Sequence, residues 1–448
     1  MKHSTPPNAD KGLRAGLFRR LRIVVRRYGP TAPVWRRRLA TGAGAVSIGL
    51  VALLFTALAN RAIDLFATLA TALWWLPLLV TPLGFALIAA LILRIAPEAS
   101  GSGIPQVAAG VGEPARAASA LLSPKAAAAK FVLTIAALLT GASVGREGPT
   151  VQISAAIMVL YHKLLRVPLR PSMMIAGGAA GVAAAFNTPL AGVTFAIEEL
   201  ADAYEQRVAL LVMTAILIAG MVSLGLAGDY IYFGVVGETM SLGAVIKVAP
   251  VAGILGGVTG GLFARAMLDF SKHRDRWLPF FRGRPVAWAF ACGVVVALTG
   301  VLTGLTWGTG YSAARAIIEG TSTPYWFGPA KLLATLATSI SGLPGGIFAP
   351  SLSAGAGFGA LLRPLFPGEP GGAVVLLGVV AYFTGAVRAP LTAVIIIVEA
   401  TASRGLILPL FTAALIAHAV SRLVCKERLY HGLARPWREK LRTETGRT

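Results

Sequence analysis

The chain has 448 residues, of which 56% are hydrophobic and only 13% are charged, and its mean hydropathy is +0.72. A soluble globular protein carries roughly twice that charged fraction, so the composition excludes a soluble fold. The net charge of +22 would suit nucleic-acid binding. The basic residues flank apolar segments instead, and we expect no nucleic-acid partner.

Basic and apolar segments alternate from the N-terminus onward. The first arginine cluster lies within 1–39, and further basic clusters lie at 272–284 and 422–442. All three are predicted to be cytoplasmic, which places both termini on that side. Several apolar runs reach the ~20 residues needed to cross a bilayer. These runs lie at 43–58, 66–94, 131–144, 208–227, 285–306 and 371–400. The sequence therefore predicts a multi-pass, all-α protein of the inner or plasma membrane, without a cleaved signal peptide.

Glycine and proline interrupt the apolar sequence at 101–106 ("GSGIPQ"), 145–149 ("GREGP") and 345–350 ("GGIFAP"). The segments after the last two breaks, 150–164 and 351–363, are too short to span a bilayer comfortably. Discontinuous helices are tolerated in a membrane where they line a buried or watery cavity. A helix that begins there presents free N–H groups and a positive dipole end, so the breaks predict an anion pathway.

The second half of the chain repeats the first at an offset of 201 residues. "KFVLTIAALLTGASVGREGP" (130–149) aligns without gaps with "KLLATLATSISGLPGGIFAP" (331–350). At the same offset, "FNTPLAGVTFAIEE" (186–199) aligns with "VRAPLTAVIIIVEA" (387–400). We therefore expect two structurally related halves, as in many secondary transporters, but the alignment leaves open whether they run parallel or inverted.

The repeat divides the chain into five parts. They are a basic cytoplasmic segment at 1–39, a first membrane repeat at 40–227, a connection at 228–242, a second membrane repeat at 243–425, and the start of a pore-lining helix with a basic cytoplasmic tail at 426–448.

The two cysteines and five histidines show neither a disulfide framework nor metal-ligand spacing. We expect no metal and no cofactor. A membrane-embedded enzyme would need a converging cluster of His, Cys or Asp, and since the sequence lacks one, we expect no catalytic residues.

The three glycine–proline breaks, in their order and spacing, resemble the CLC family of chloride channels and chloride/proton exchangers. The resemblance covers about 40–432. It implies an all-α fold of two inverted repeats with discontinuous half-helices. It also implies a homodimer in the lipid bilayer with one pathway in each subunit. Many relatives carry paired cytoplasmic regulatory (CBS) domains, which we do not expect here because the sequence ends soon after 432.

The resemblance also implies roles for individual residues. In "GSGIP", the Ser102 hydroxyl would bind the central anion beside Gly103. In "GREGP", Glu147 would be the gating glutamate, which competes with the anion and carries the proton. Arg146 and Gly148, which flank it, would belong to the anion site.

The remaining anion ligands are implied in the second half and near the C-terminus. In "GGIFAP", the backbone amides of Ile347 and Phe348 would line the anion site. Tyr430, in "ERLYHGLA", would close the site from the cytoplasm. Both aromatic rings would also suit an ordinary apolar core. Within the family, serine at the position of Ser102 accompanies chloride and proline accompanies nitrate, so this chain is expected to select chloride.

The repeat separates charges that the fold needs from charges that one half adds. Arg146 and Glu147 align with Ile347 and Phe348, so the break itself does not require charge. The alternative, that Glu147 only pairs with Arg146, is disfavoured because adjacent side chains diverge on a helix. An acid within a membrane is functional by default.

Other charges occur in both halves. Lys130 aligns with Lys331 and Glu198 aligns with Glu399, so we predict that these four are buried structural charges. Glu199 has no acidic counterpart in the second half. In CLC exchangers a glutamate here accepts protons from the cytoplasmic side. The resemblance thus implies an internal proton relay, with a plain surface charge as the alternative.

The combined hypothesis is a chloride/proton antiporter that exchanges chloride, or another small monovalent anion, for protons. A passive voltage- or pH-gated chloride channel of the same fold is the alternative, and Glu199 favours the antiporter.

Overall fold

The computed structural model describes residues 32–201, 206–228 and 232–443. The predicted N-terminal basic segment lies outside the described residues as far as position 31. Within the described ranges the chain forms eighteen α-helices joined by short turns.

The first half contains nine of these helices. They are α1 (Ala32–Ala72), α2 (Leu76–Ile95), α3 (Ile104–Gly112), α4 (Pro114–Ala120), α5 (Pro124–Leu139), α6 (Glu147–Leu164), α7 (Pro171–Phe186), α8 (Pro189–Phe195, continued by a π-helical turn at Ala196–Leu200) and α9 (Gln206–Ala227).

The second half contains the other nine. They are α10 (Leu242–Trp277), α11 (Pro285–Thr303), α12 (Tyr311–Ile318), α13 (Phe327–Ile340), α14 (Phe348–Ala360), α15 (Gly371–Val387), α16 (Pro390–Thr401), α17 (Ile407–Val424) and α18 (Leu429–Thr443).

Local sequence explains where many helices begin. Proline is the first residue of α4, α5, α7, α8, α11 and α16, where its missing N–H costs nothing. Serine caps two others: Ser123 Oγ accepts from the Ala126 N–H at 3.1 Å, and Ser241 Oγ accepts from the Ala244 N–H at 3.2 Å.

Equivalent backbone features recur 201 residues apart. α6 begins at Glu147 and α14 begins at Phe348. Asn187 ends α7 with a φ of 56°, and Arg388 ends α15 with a φ of 64°. A left-handed conformation is uncommon for residues other than glycine, so its recurrence at this offset identifies the two segments as structural equivalents.

Reciprocal contacts join the two halves at the centre. The Gly145 N–H donates to the Gly346 carbonyl, and the Gly346 N–H donates to the Gly145 carbonyl, both at 2.7 Å. The pair forms an antiparallel bridge. Because each residue contacts its own equivalent, the halves are related by a two-fold axis. The antiparallel bridge agrees with this two-fold relation, and the repeats are inverted, as the resemblance implies.

The described helices sort into membrane-spanning and enclosed classes. Six segments are long and apolar enough to cross a membrane, and α4 with α5, bent by 54° at their junction, could form a seventh. The six are α1, α2, α9, α10, α11 and the segment that ends with α17. By contrast α7, α14 and α15 are buried almost throughout. The prediction of a polytopic membrane protein with discontinuous helices is confirmed.

Candidate functional site

The starts of three helices converge near the bridge. A Cβ on Gly103, which precedes α3, would lie 2.9 Å from the Gly148 carbonyl oxygen in the first turn of α6. A Cβ on Gly148 would lie 3.0 Å from the Gly346 Cα, just before α14. Only glycine permits such close backbones. Since the first N–H groups of a helix have no intrahelical acceptor, the convergence concentrates free donors and positive dipole ends, which suit an anion.

Two hydroxyl groups reach the same region. A cavity of about 270 Å³ is lined by Ser102, Ile347 and Tyr430, among others. The Ser102 and Tyr430 hydroxyls interact with each other, and in the described part of the chain neither makes a hydrogen bond of good geometry with any group. Leaving a buried hydroxyl unsatisfied costs about 1–3 kcal/mol. Both groups are therefore available to a ligand.

This cavity adjoins a second cavity beside the mid-chain basic cluster. A neighbouring cavity of about 320 Å³ shares Ser271, Ser339 and Leu433 with it. Lys272 and Arg274 line that second cavity, each in an ion pair with an acidic neighbour. The cavity that holds the two hydroxyl groups therefore lies next to charged residues of the mid-chain cluster.

The ring of Phe348 is part of an aromatic cluster. Its centroid lies 5.0 Å from that of Phe383, 6.0 Å from those of Phe195 and Tyr430, and 6.1 Å from that of Phe186. The side chain therefore packs as an ordinary core aromatic. Its backbone amide, at the start of α14, is free of the helical hydrogen-bond pattern and is the group that could contact an anion.

Glu147 is completely buried, with 0% exposure. Its Oε1 accepts a hydrogen bond from the Tyr311 hydroxyl at 2.7 Å and lies 3.9 Å from Arg146 Nε. Its Oε2 has no hydrogen-bond partner among the described residues. That oxygen lies against the position that a Cβ on Gly145 would take, and this position is 3.3 Å from the Ala349 nitrogen in α14. The carboxylate thus lies beside the starts of α6 and α14.

Arg146 is held by contacts with other helices. Its guanidinium donates to Asn60 Oδ1, to the Thr56 carbonyl at 3.4 Å and to the Tyr232 hydroxyl at 2.7 Å. Both terminal nitrogens of its side chain are thus engaged by other groups, whereas Nε has no hydrogen-bond partner among the described residues. Its membership of the anion site stays a prediction. Arg146 Nε and Glu147 Oε1, 3.9 Å apart, are closer than adjacent side chains that diverge on a helix would be.

Lys130 and Lys331 are both 0% exposed and have matching partners. Lys130 Nζ donates to the Ser100 carbonyl at 3.1 Å and the Gly101 carbonyl at 2.8 Å. Lys331 Nζ donates to the carbonyls at positions 306 and 308, at 2.9 and 2.8 Å. Each lysine therefore fixes a loop that precedes a short helix.

Glu198 and Glu399 cap helices of the opposite half. Glu198 accepts from the amides of Leu391 and Thr392 in α16, at 3.0 and 2.7 Å. Glu399 accepts from two amides at the start of α8, at 3.2 and 2.9 Å. Both residues are half-buried rather than buried as expected from the sequence.

Glu199, next to Glu198, has a different environment. It is 4% exposed, and neither carboxylate oxygen has a hydrogen-bond partner in the ranges that the structure covers. It lies on the π-helical turn after α8, a feature that often marks functional positions. Its charge interacts with those of Arg428 and Arg388. A buried acid without hydrogen bonds is not a plain surface charge.

The comparison with known proteins identifies the family. The family model described as "Voltage gated chloride channel" matches residues 84–422. The chain belongs to the CLC family.

Several relatives within the CLC family are named as exchangers. The H(+)/Cl(-) exchange transporter ClcA of Vibrio cholerae is 32% identical over 376 residues, which cover 77% of this chain and 75% of that protein. The protein of the same name from Citrobacter koseri is 31% identical over 382 residues, 79% of this chain and 78% of its own.

Solved structures support the CLC fold. A slow cyanobacterial Cl-/H+ antiporter matches with a TM-score of 0.78 and 24% identity, over 90% of this chain and 98% of that one. A CLC-type fluoride/proton antiporter matches with a TM-score of 0.73 and 23% identity, over 86% and 96% of the two chains.

The structure adds Asn60, Tyr232 and Tyr311 to the surroundings of Arg146 and Glu147 in this CLC protein. All three contact Arg146 or Glu147 from distant parts of the chain. The sequence reading missed them because none lies in a repeated motif. The available signal was "GTGYS" at 308–312, where two glycines precede an aromatic residue at a helix start.

Proposed function

We propose that this protein is a chloride/proton antiporter. The observation that carries the proposal is the completely buried carboxylate of Glu147 at the starts of α6 and α14, in the place of an anion. The relatives that are named exchange transporters favour exchange over passive conduction.

The anion is proposed to bind between the Ser102 and Tyr430 hydroxyls on one side and the helix starts on the other. Ser102 and Tyr430 supply hydroxyl donors, and Ile347 and Phe348 supply backbone N–H groups. Gly103 and Gly148 allow these backbone segments to approach each other closely. Because none of these donors carries a full positive charge, chloride can bind and still leave.

Glu147 is proposed to gate this site and to carry the proton. A deprotonated carboxylate repels chloride and competes with it for the same donors. Protonation removes the charge, so the side chain can leave the helix starts and chloride can take its place. Repeated exchange then moves protons and chloride in opposite directions.

Glu199 is proposed to relay protons between the cytoplasm and the gate. Tyr430 interacts electrostatically with both Glu147 and Glu199, which places its ring near both acids. A buried carboxyl group without hydrogen bonds can accept and release a proton without breaking existing contacts. The relay role thus rests on the position and the burial of Glu199.

Proteoliposomes that report chloride and proton fluxes together test both roles. In wild type, a chloride gradient should drive protons in the opposite direction. Glu147→Gln should conduct chloride without pH dependence and without proton movement, and Glu199→Gln should conduct chloride without proton movement. Glu319→Gln, in a half-exposed pair with Arg315, is the control and should match wild type. Full pH dependence in Glu147→Gln would contradict the gate assignment.

The same vesicles separate an antiporter from a channel. Under combined chloride and pH gradients, the reversal potential of an antiporter depends on both gradients, whereas that of a channel follows chloride alone. A reversal potential that ignores pH would favour the channel.

We also propose a homodimer in the inner membrane with a complete pathway in each subunit and both termini in the cytoplasm. The ligands Ser102, Glu147 and Tyr430 all come from one chain, so a subunit does not need its partner to complete the site. A mass of one subunit, measured by light scattering in detergent, would contradict the dimer.

A further inference from the structure

A tyrosine outside the anion-binding groups holds the gate carboxylate. The Tyr311 hydroxyl donates to Glu147 Oε1 at 2.7 Å, across a sequence separation of 164 residues. Tyr311 begins α12 in the second half, whereas Glu147 begins α6 in the first. Nothing in the proposed exchange cycle requires this contact.

The backbone around Tyr311 fixes the position of its hydroxyl. Gly310 has a φ of +78°, and a Cβ there would lie 2.9 Å from Lys331 Cε. The ammonium group of Lys331 holds the carbonyls of Thr306 and Gly308 in the preceding loop. α12 therefore starts at a defined place, so little entropy is lost when the hydroxyl meets the carboxylate.

Aromatic and cationic neighbours restrict the ring of Tyr311 as well. Its centroid lies 5.0 Å from that of Tyr232 and 5.4 Å from that of Phe233. The Arg146 guanidinium carbon lies 5.9 Å from the Tyr311 ring. The hydroxyl is thus held against Glu147 from several sides.

Four titratable or charged side chains surround Glu147. The titratable and charged neighbours are Arg146, Tyr232, Tyr311 and Tyr430. Tyrosine and arginine ordinarily titrate near pH 10 and above 12. The pH response of this cluster therefore belongs to the carboxylate.

We propose that Tyr311 is a positioning residue that latches the deprotonated gate. The latch is the hydrogen bond from its hydroxyl to Oε1, and the proposal rests on the proposed gating role of Glu147. A hydrogen bond is stronger to a carboxylate than to a neutral carboxyl group. Tyr311 therefore favours the charged, anion-excluding position, and protonation weakens the hold and releases the side chain.

The variant Tyr311→Phe removes the hydroxyl and keeps the ring. A hydrogen bond to a charged group shifts an equilibrium by roughly tenfold. Chloride flux should therefore rise by up to about that factor at pH values where the gate is deprotonated. Because the lost bond favoured the charged form, the midpoint of acid activation should move to higher pH. The matched control is Tyr161→Phe. Tyr161 lies on the same helix as Glu147, and its hydroxyl is hydrogen-bonded to Ser47 at 2.7 Å. This variant should leave both the chloride flux and the midpoint of acid activation unchanged.

The double variant Tyr311→Phe/Glu147→Gln separates a latch from other roles. A latch acts through the carboxylate, so the double variant should have the chloride flux of Glu147→Gln alone. An unchanged chloride flux in Tyr311→Phe overturns the proposal. An equal change of flux in the wild-type and Glu147→Gln backgrounds also overturns it, because Tyr311 would then be an anion ligand or a structural residue. If Glu147→Gln keeps full proton coupling, the gate assignment fails first, and the latch fails with it.

Discussion

Gly148 lies where the first turn of α6 meets the Ser102 loop and the start of α14. A Cβ at this position would lie 2.5 Å from Ser102 Oγ, 2.9 Å from the Ser102 carbonyl oxygen and 3.0 Å from the Gly346 Cα. Two of the three obstacles are backbone atoms, which cannot rotate away. At the residue scale, the anion site depends on the absence of a side chain as much as on any ligand.

Gly148→Ala should therefore reduce chloride flux by roughly tenfold or more, since overpacking costs about 1–3 kcal/mol. Gly112→Ala, at the end of α3 with open space around its Cβ position, should keep the flux of wild type. Proteoliposome chloride efflux at matched protein density is the measurement. Equal efflux from the two variants would show that the site tolerates the extra methyl group.

The sequence alone could single out residues that lie inside a motif, but not residues whose contacts arise only from the fold. Glu147 could be singled out because its partner in the repeat is apolar. Tyr311 could not, because the contact crosses 164 residues and an aromatic residue in an apolar chain is unremarkable by itself. Asn60 lies in the middle of α1, where only the folded structure brings it to Arg146.

At the scale of elements, each half caps a helix of the other. Glu198 binds the start of α16 and Glu399 binds the start of α8, through two amides each. Glu198 also accepts from Thr392 Oγ1 at 2.7 Å. These carboxylates satisfy N–H groups that no helical carbonyl can reach. They also place negative charge at the positive dipole end.

Glu198→Ala and Glu399→Ala should each destabilise the protein by about 1–2 kcal/mol, the usual cost of losing an N-terminal cap. Thermal unfolding in detergent, followed by tryptophan fluorescence, should show a lower midpoint for both. Glu199→Gln should not lower the midpoint, because Glu199 makes no hydrogen bond in the described structure. A lower midpoint for Glu199→Gln alone would reverse the assignment of the two neighbouring acids.

The starts of the broken helices were predictable and their surroundings were not. Glycine and proline mark the breaks, and the structure begins α6 and α14 at equivalent positions of the repeat. The burial of α7 and α15 follows from their apolar composition on every face. The convergence of α3 with α6 and α14 depends on packing between segments far apart in sequence, which no local pattern encodes.

At the scale of the whole molecule, the inverted repeat predicts on which side of the membrane each end lies. Ser339, near the end of α13, lines the same cavity as Tyr430 of α18. We propose that the loop before α13 lies at the opposite face, where Tyr325 is 78% exposed. The proposed orientation within the cell rests on the basic residues of α18 and the mid-chain cluster.

Single cysteines should report this orientation through a membrane-impermeant thiol reagent. Tyr325→Cys should be labelled from outside intact cells, and Thr443→Cys should be labelled only in inside-out vesicles. Background should be low because Cys292 and Cys425 are 3% and 5% exposed. Labelling of Thr443→Cys from outside would invert the proposed topology.

The glycine bridge between the halves has a consequence for how the molecule moves. It lies on the two-fold axis, and Gly145 is only two residues before Glu147. Displacing one half against the other at this point would strain the bridge and the proposed ion site beside it. We therefore expect the halves to stay fixed relative to each other and the Glu147 side chain to be the main moving part. Rotamer changes take far less time than domain motions, so we expect proton delivery to Glu147, rather than movement of its side chain, to be the slow step of transport.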